Sequence, residues 1–132
     1  MKEVLDFLKN NQVFQFATME GDQPRNRPFG FHMVHNNRIY FITGDHKPVY
    51  RQLRANPKFE LSVSNEAGEW LRLRGSAVFD PDPKLLEEAF RLMPMLKDIY
   101  GDPKGPKPAM FYASQAEATL ADMRGKNEIV TL

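Results

Sequence analysis

The apolar residues of this chain change period several times, and each change marks an element. Val4, Leu5, Phe7 and Leu8 stand at helical spacing among charged neighbours, which predicts a short amphipathic helix over residues 2–10, ended by Asn10-Asn11. Residues 12–19 are rich in β-formers (Val13, Phe14, Phe16, Thr18), and Glu20-Gly21-Asp22 turns them into a second strand read from Arg25 to His35. Asn36-Asn37, residues that tolerate positive φ, turn that strand back as Arg38-Ile39-Tyr40-Phe41-Ile42-Thr43. Gly44-Asp45 interrupts it, and Asp45 is placed to cap a helix that carries Pro48 in its first turn and runs to about Ala55.

Beyond the Asn56-Pro57 stop, Phe59, Leu61 and Val63 alternate with polar residues as a half-buried strand. Residues 66–69 turn the chain into a strand from Trp70 to Phe79. Its period places Leu71, Leu73, Gly75, Ala77 and Phe79 on one face and Trp70, Arg72 and Arg74 on the other. Helical spacing returns over residues 82–93 until Pro94 kinks or ends the helix. Residues 101–108 read as a surface loop, Phe111-Tyr112 as β structure, and Glu128 to Leu132 as a last strand after a turn at Gly125. Strands joined by tight turns with few helices between them predict a mainly β protein, an antiparallel barrel with peripheral helices. No glycine-rich dinucleotide fingerprint or phosphate loop is present.

Length and composition narrow the class. A chain of 132 residues is expected to form one domain over 1–132, and 42% hydrophobic with 27% charged residues is the balance of a soluble globular protein. No apolar run is long enough for a bilayer, and acidic residues interrupt the first positions where a secretory signal would be apolar, so a cytoplasmic location is expected. Without cysteine there is no disulfide and no thiol nucleophile, and redox chemistry has to come from a cofactor. A net charge of +1 with interleaved signs argues against nucleic acid as a partner.

The basic residues therefore matter locally. On the second strand Arg25 and Arg27 share a face with Phe29, Phe31 and Met33, a change from cationic to apolar that suits a barrel rim; solvated arginines at a strand end are the plainer alternative. The neighbouring strand delivers Thr43 and then the helix start at Asp45-His46-Lys47, and free N–H groups, a hydroxyl and an ammonium suit a phosphate. His32 and His35, three apart on a strand, point to opposite faces, and no metal site is expected. No serine sits in a nucleophile elbow, and Glu87-Glu88 read as a solvated helix face, so hydrolysis is disfavoured and no catalytic residue is assigned.

Arg25-Asn26-Arg27-Pro28-Phe29, Phe41 to Lys47, Arg54-Ala55-Asn56-Pro57 and Gly68 to Gly75 stand in an order that resembles the pyridoxamine 5'-phosphate oxidase-like, flavin-binding split-barrel family. The resemblance implies a six-stranded antiparallel split barrel that forms a homodimer, with flavin mononucleotide (FMN) at the subunit interface. It implies that Arg27 and Lys47 bind the phosphate with Thr43 and His46 assisting and Arg25 nearby, that the backbone of Pro28 and Phe29 lies along the isoalloxazine ring, and that Trp70 comes from the partner subunit. Trp70 stands where the vitamin-synthesising oxidases usually carry glutamine, and the sequence ends at Leu132 without the C-terminal part those oxidases use on their substrate's phosphate. Both departures argue against oxidation of pyridoxamine 5'-phosphate itself. The function implied is an FMN-dependent oxidoreductase taking electrons from NADH or NADPH to a small acceptor. The alternative is a non-enzymatic flavin-binding or electron-transfer protein, with haem or a deazaflavin as less favoured ligands.

Overall fold

A computed structural model describes residues 1–132. Its elements are α1 (Lys2–Asn10), β1 (Phe14–Glu20), β2 (Gln23–Phe29), β3 (Met33–His35), β4 (Arg38–Gly44), α2 (Pro48–Ala55), β5 (Lys58–Ser64), β6 (Glu69–Phe79), α3 (Pro83–Leu92), α4 (Leu96–Tyr100), β7 (Pro108–Asp122) and β8 (Asn127–Thr131). The strands pair antiparallel in the order β2-β1-β5-β6-β7-β4-β3, and β8 adds to β7. The protein is thus mainly β with peripheral helices, as the sequence predicts, with eight strands in place of six. No helix is long and apolar enough to cross a membrane.

The largest difference from the sequence reading lies at residues 30–32. The strand read from Arg25 to His35 is two strands, because Gly30-Phe31-His32 leaves the ladder and the chain changes partner: β2 pairs with β1, and β3 pairs with β4. These are the two ends of the sheet. Three residues of backbone join them, so the barrel is closed at this seam by the covalent chain rather than by a ladder of hydrogen bonds. The face shared by Arg25, Arg27 and Phe29 therefore stops at Phe29. Phe31 and Met33 pack in a different cluster, and His32 is not a strand residue at all.

Two further expectations change. Asp45 does not cap α2: its N–H donates to the Lys107 carbonyl at 2.9 Å, extending the β4–β7 contact past Gly44, and the helix starts later, with Lys47 as N-cap and Pro48 at its first position. β7 runs ten residues beyond Tyr112, to Asp122, and α4 follows Pro94. The alanine-rich stretch of β7 hides its strand character because a bulge breaks the alternation. Gln115 takes φ +52°, the pairing with β6 shifts between Arg74 and Ser76, and the inward set changes from Phe111 and Ala113 to Ala116, Ala118 and Leu120.

The barrel interior is built on aromatic rings. Phe16 stacks on Phe59 at 4.7 Å and meets Phe41 and Phe111 edge-on, with Leu61, Leu71 and Leu73 beside them. Helix α1 sends Val4 and Leu8, and α2 sends Val49 and Leu53, into this core. The opposite face of β3, β4 and β7 carries Met33, Tyr40 and Met110, which α3 and α4 cover with Leu85, Ala89, Leu96 and Tyr100. Tyr40 is the polar member of this second layer, and its hydroxyl donates to Asp80 Oδ2 at 2.8 Å.

Candidate functional site

The hairpin of β1 and β2 turns through Gly21 at φ +61° and pairs Thr18 with Arg25 and Phe16 with Arg27. Cross-strand partners share a face, and on β1 this is the face of buried Phe14, Phe16 and Thr18. The two arginines thus lie at the end of the barrel's inward face, where phenylalanine gives way to polar groups. Arg25 donates from Nε and Nη2 to Glu20 Oε1 at 3.1 and 2.8 Å. The Glu20 carboxyl is held below the usual carboxylate range first by that hydrogen bond, then by the charge of Arg25 and by the Gln52 amide.

Arg27 is held differently. Its Nη1 donates to the Phe16 carbonyl at 3.1 Å and to Thr18 Oγ1 at 2.7 Å, and its Nη2 donates to Gln52 Oε1 at 2.6 Å. Thr18 Oγ1 in turn donates to the same Gln52 oxygen at 2.6 Å. Thr18 and Gln52 are only 3% and 5% exposed, so this triangle is a buried link between the hairpin and α2. Every acceptor around Arg27 is neutral, and no carboxylate lies within ion-pair distance of it. Burial, and then the charge of Arg25, draws its guanidinium below its ordinary value, which is too high for the charge to be lost.

The segment from Thr43 to Lys47 leads into the same helix. Thr43 is the last inward side chain of β4, 1% exposed, and its Oγ1 is the one buried side-chain polar atom with no hydrogen-bond partner. Gly44 lies under the His46 ring: a Cβ there would stand 2.5 Å from His46 Cε1. Lys47 is exposed and forms no ion pair. The helix start offers fewer donors than usual, because Pro48 has none and the Tyr50 N–H is bonded to the Lys47 carbonyl at 3.1 Å; the Val49 N–H is left without a backbone acceptor.

The structure therefore joins Arg25 and Arg27, through Thr18, Glu20 and Gln52, to the helix that Lys47 begins. Pro28 is exposed on the outer side of β2, and Phe29 stacks on Phe16 with ring centroids 4.4 Å apart. Trp70 is not brought to this group. It lies on the outward face of β6 opposite Ser64 and Ala121, with Arg72 and Arg74, and borders a shallow hollow with Gln15 and Ser62. Thr18 and Gln52 escaped the sequence reading. The signal was there: Thr18 is the polar member of the inward series Phe14, Phe16, Thr18, and Gln52 sits on the apolar side of α2 beside Val49 and Leu53.

Comparison with known proteins adds the family. The pyridoxamine 5'-phosphate oxidase family model matches residues 1–124. A NimC/NimA family protein from Clostridium acetobutylicum is 38% identical, with 100% of this chain and 92% of that one covered and a TM-score of 0.92. A pyridoxamine 5'-phosphate oxidase-related, FMN-binding protein from Nostoc punctiforme shares the fold at 15% identity, covering 99% and 95% of the two chains, with a TM-score of 0.69. A haem-binding protein from Mycobacterium smegmatis shares it at 14% identity and a TM-score of 0.76, over 98% of this chain and 56% of that one. No curated protein sequence matches.

Proposed function

Since the chain belongs to the pyridoxamine 5'-phosphate oxidase family, we propose that it binds FMN and works as an oxidoreductase passing electrons from reduced nicotinamide to a small acceptor. One observation carries the ligand: Arg27 is a half-buried cation surrounded by neutral acceptors alone, while its neighbour Arg25 has a carboxylate. A charge withdrawn from water is normally paired, and a phosphate supplies the missing partner. The residues present fit this group. Arg27 and Lys47 supply cations, the Val49 N–H a free donor and Thr43 an unpartnered hydroxyl, with the His46 ring beside the turn.

Bound FMN supplies the hydride and electron chemistry, and the protein contributes position and electrostatics. Arg27 and Lys47 fix the phosphate end, and the outer edge of β2 at Pro28-Phe29 receives the ring. Trp70 and Arg27 lie on opposite faces of the sheet, so a ligand that touches both has to be shared with a second copy; this supports a homodimer with FMN between subunits. The chain has no cysteine from which to build the disulfides common in small exported proteins, which supports a cytoplasmic setting.

The absorption spectrum of the purified protein, with the mass of the released cofactor, tests the ligand. FMN is the expected product, whereas a haem spectrum, a deazaflavin mass or failure to take up added FMN would overturn the assignment. Steady-state oxidation of NADH and NADPH by the FMN-loaded protein tests the reaction. No turnover with a broad set of small acceptors would leave a flavin carrier or electron-transfer protein.

A further inference from the structure

We infer that Gln52 and Thr18 are positioning residues that decide which edge of the Arg27 guanidinium is offered to the phosphate. The inference rests on the phosphate reading above and adds two residues to it. A guanidinium carries five N–H donors in one plane, arranged along two forked edges: the end-on edge, Nη1 with Nη2, and the side-on edge, Nε with Nη2. In Arg27 the end-on edge is filled. Nη1 donates to Thr18 Oγ1 and Nη2 to Gln52 Oε1, and the hydrogen bond between these two acceptors fixes them to each other. The second Nη1 hydrogen is taken by the Phe16 carbonyl.

Three of the five N–H groups are therefore used, and the remaining two are the Nε–H and the second Nη2–H. These are neighbours and nearly parallel, the side-on fork that suits two oxygens of one phosphate. Arg25 shows the contrast, because its own Nε and Nη2 both go to Glu20. The two arginines thus leave opposite edges free, and only Arg27 keeps the side-on pair.

The burial of Thr18 and Gln52 is what makes the arrangement rigid. Neither can exchange its partner for water, so neither the ring of hydrogen bonds nor the plane of the guanidinium turns without leaving a polar group unsatisfied. A lysine at position 27 has no such plane to orient.

The test measures the affinity of the full-length apoprotein for FMN and for riboflavin by flavin fluorescence, in wild type, Thr18→Val, Thr18→Ser, Gln52→Leu, Arg27→Ala and Arg27→Lys. Thr18→Val and Gln52→Leu are expected to weaken FMN binding by roughly three- to tenfold, the effect of one hydrogen bond, while riboflavin changes less than about twofold. Thr18→Ser keeps the hydroxyl and is expected to retain wild-type affinity, and Arg27→Lys is expected to behave like Arg27→Ala. If Arg27→Ala selectively weakens FMN but Thr18→Val and Gln52→Leu do not, positioning is wrong and the phosphate reading stands. If Arg27→Ala weakens FMN and riboflavin alike, both fall. The isosteric pair at position 18 decides the matter even if Gln52→Leu does not fold.

Discussion

A Cβ on Gly75 would stand 3.1 Å from the Ser114 carbonyl oxygen on the neighbouring strand, with the Phe59 ring and the Ala116 Cβ each 3.5 Å away. The closeness comes from the bulge at Gln115, which brings the β7 backbone over β6 as the register shifts. A branched side chain there has to push the strands apart. Gly75→Val is expected to lower the unfolding free energy by ~1–3 kcal/mol, the usual cost of overpacking. Urea unfolding measures it, and an unchanged midpoint would mean that the bulge yields freely.

Lys47 is expected to contribute to ligand binding rather than to the fold, because it is exposed and has no ion pair to lose. Lys47→Ala should weaken FMN by about one to two powers of ten and riboflavin much less, while the melting temperature of the apoprotein stays where it is. Calorimetric titration with both flavins distinguishes this from a general loss. Equal weakening of the two would remove Lys47 from the phosphate site.

His32 gives the protein an acid-sensitive element. Burial draws its pKa below the ordinary 6.5, so the native state takes up its proton only at a pH lower than the unfolded chain does. As pH falls through about 6.5 the unfolded state binds the proton first, and stability is lost until the lowered native value is passed. His32→Gln is expected to flatten this part of the stability curve without changing the loss at lower pH, where carboxylates titrate. Denaturation midpoints from about pH 7.5 to 5 measure it, and parallel slopes for the two proteins would exclude His32 as the source.

Leu8 is fully buried among the barrel side chains although it belongs to a helix of nine residues near the start of the chain. A helix this short is marginal alone, and α1 depends on Val4 and Leu8 for its place. Leu8→Ala is expected to cost ~2–5 kcal/mol, read as a fall in the urea midpoint. A loss below 1 kcal/mol would show that α1 is dispensable to the core.

What the sequence made legible were the features set by nearest neighbours. Alternation fixed the two faces of β6, so Trp70, Arg72 and Arg74 are found together on its outer side, and Asn36 and Asn37, at φ 50° and 62°, make the tight turn that their type allows. The misreadings arose where a distant partner overrides local pattern. Phe29, Phe31 and Met33 keep an unbroken period of two, and nothing local says that the chain changes partners at Gly30. Asp45 is a good cap by type, yet its N–H is drawn to Lys107, far along the chain. In the site, Arg27 and Lys47 stand out as charges, whereas Thr18 and Gln52 matter only because folding brings together residues 34 positions apart.

In a two-residue hairpin closed by Glu20 and Gln23, the backbone groups of residues 24, 26 and 28 point away from β1, toward the open side of the seam between β2 and β3. Two of those three positions, Pro24 and Pro28, are proline and have no hydrogen to give. Asn26 is left as the lone donor along that stretch, too little for another chain to register against. The seam therefore carries its own barrier to fibre growth along β2, because a stray strand finds a single backbone donor there to pair with.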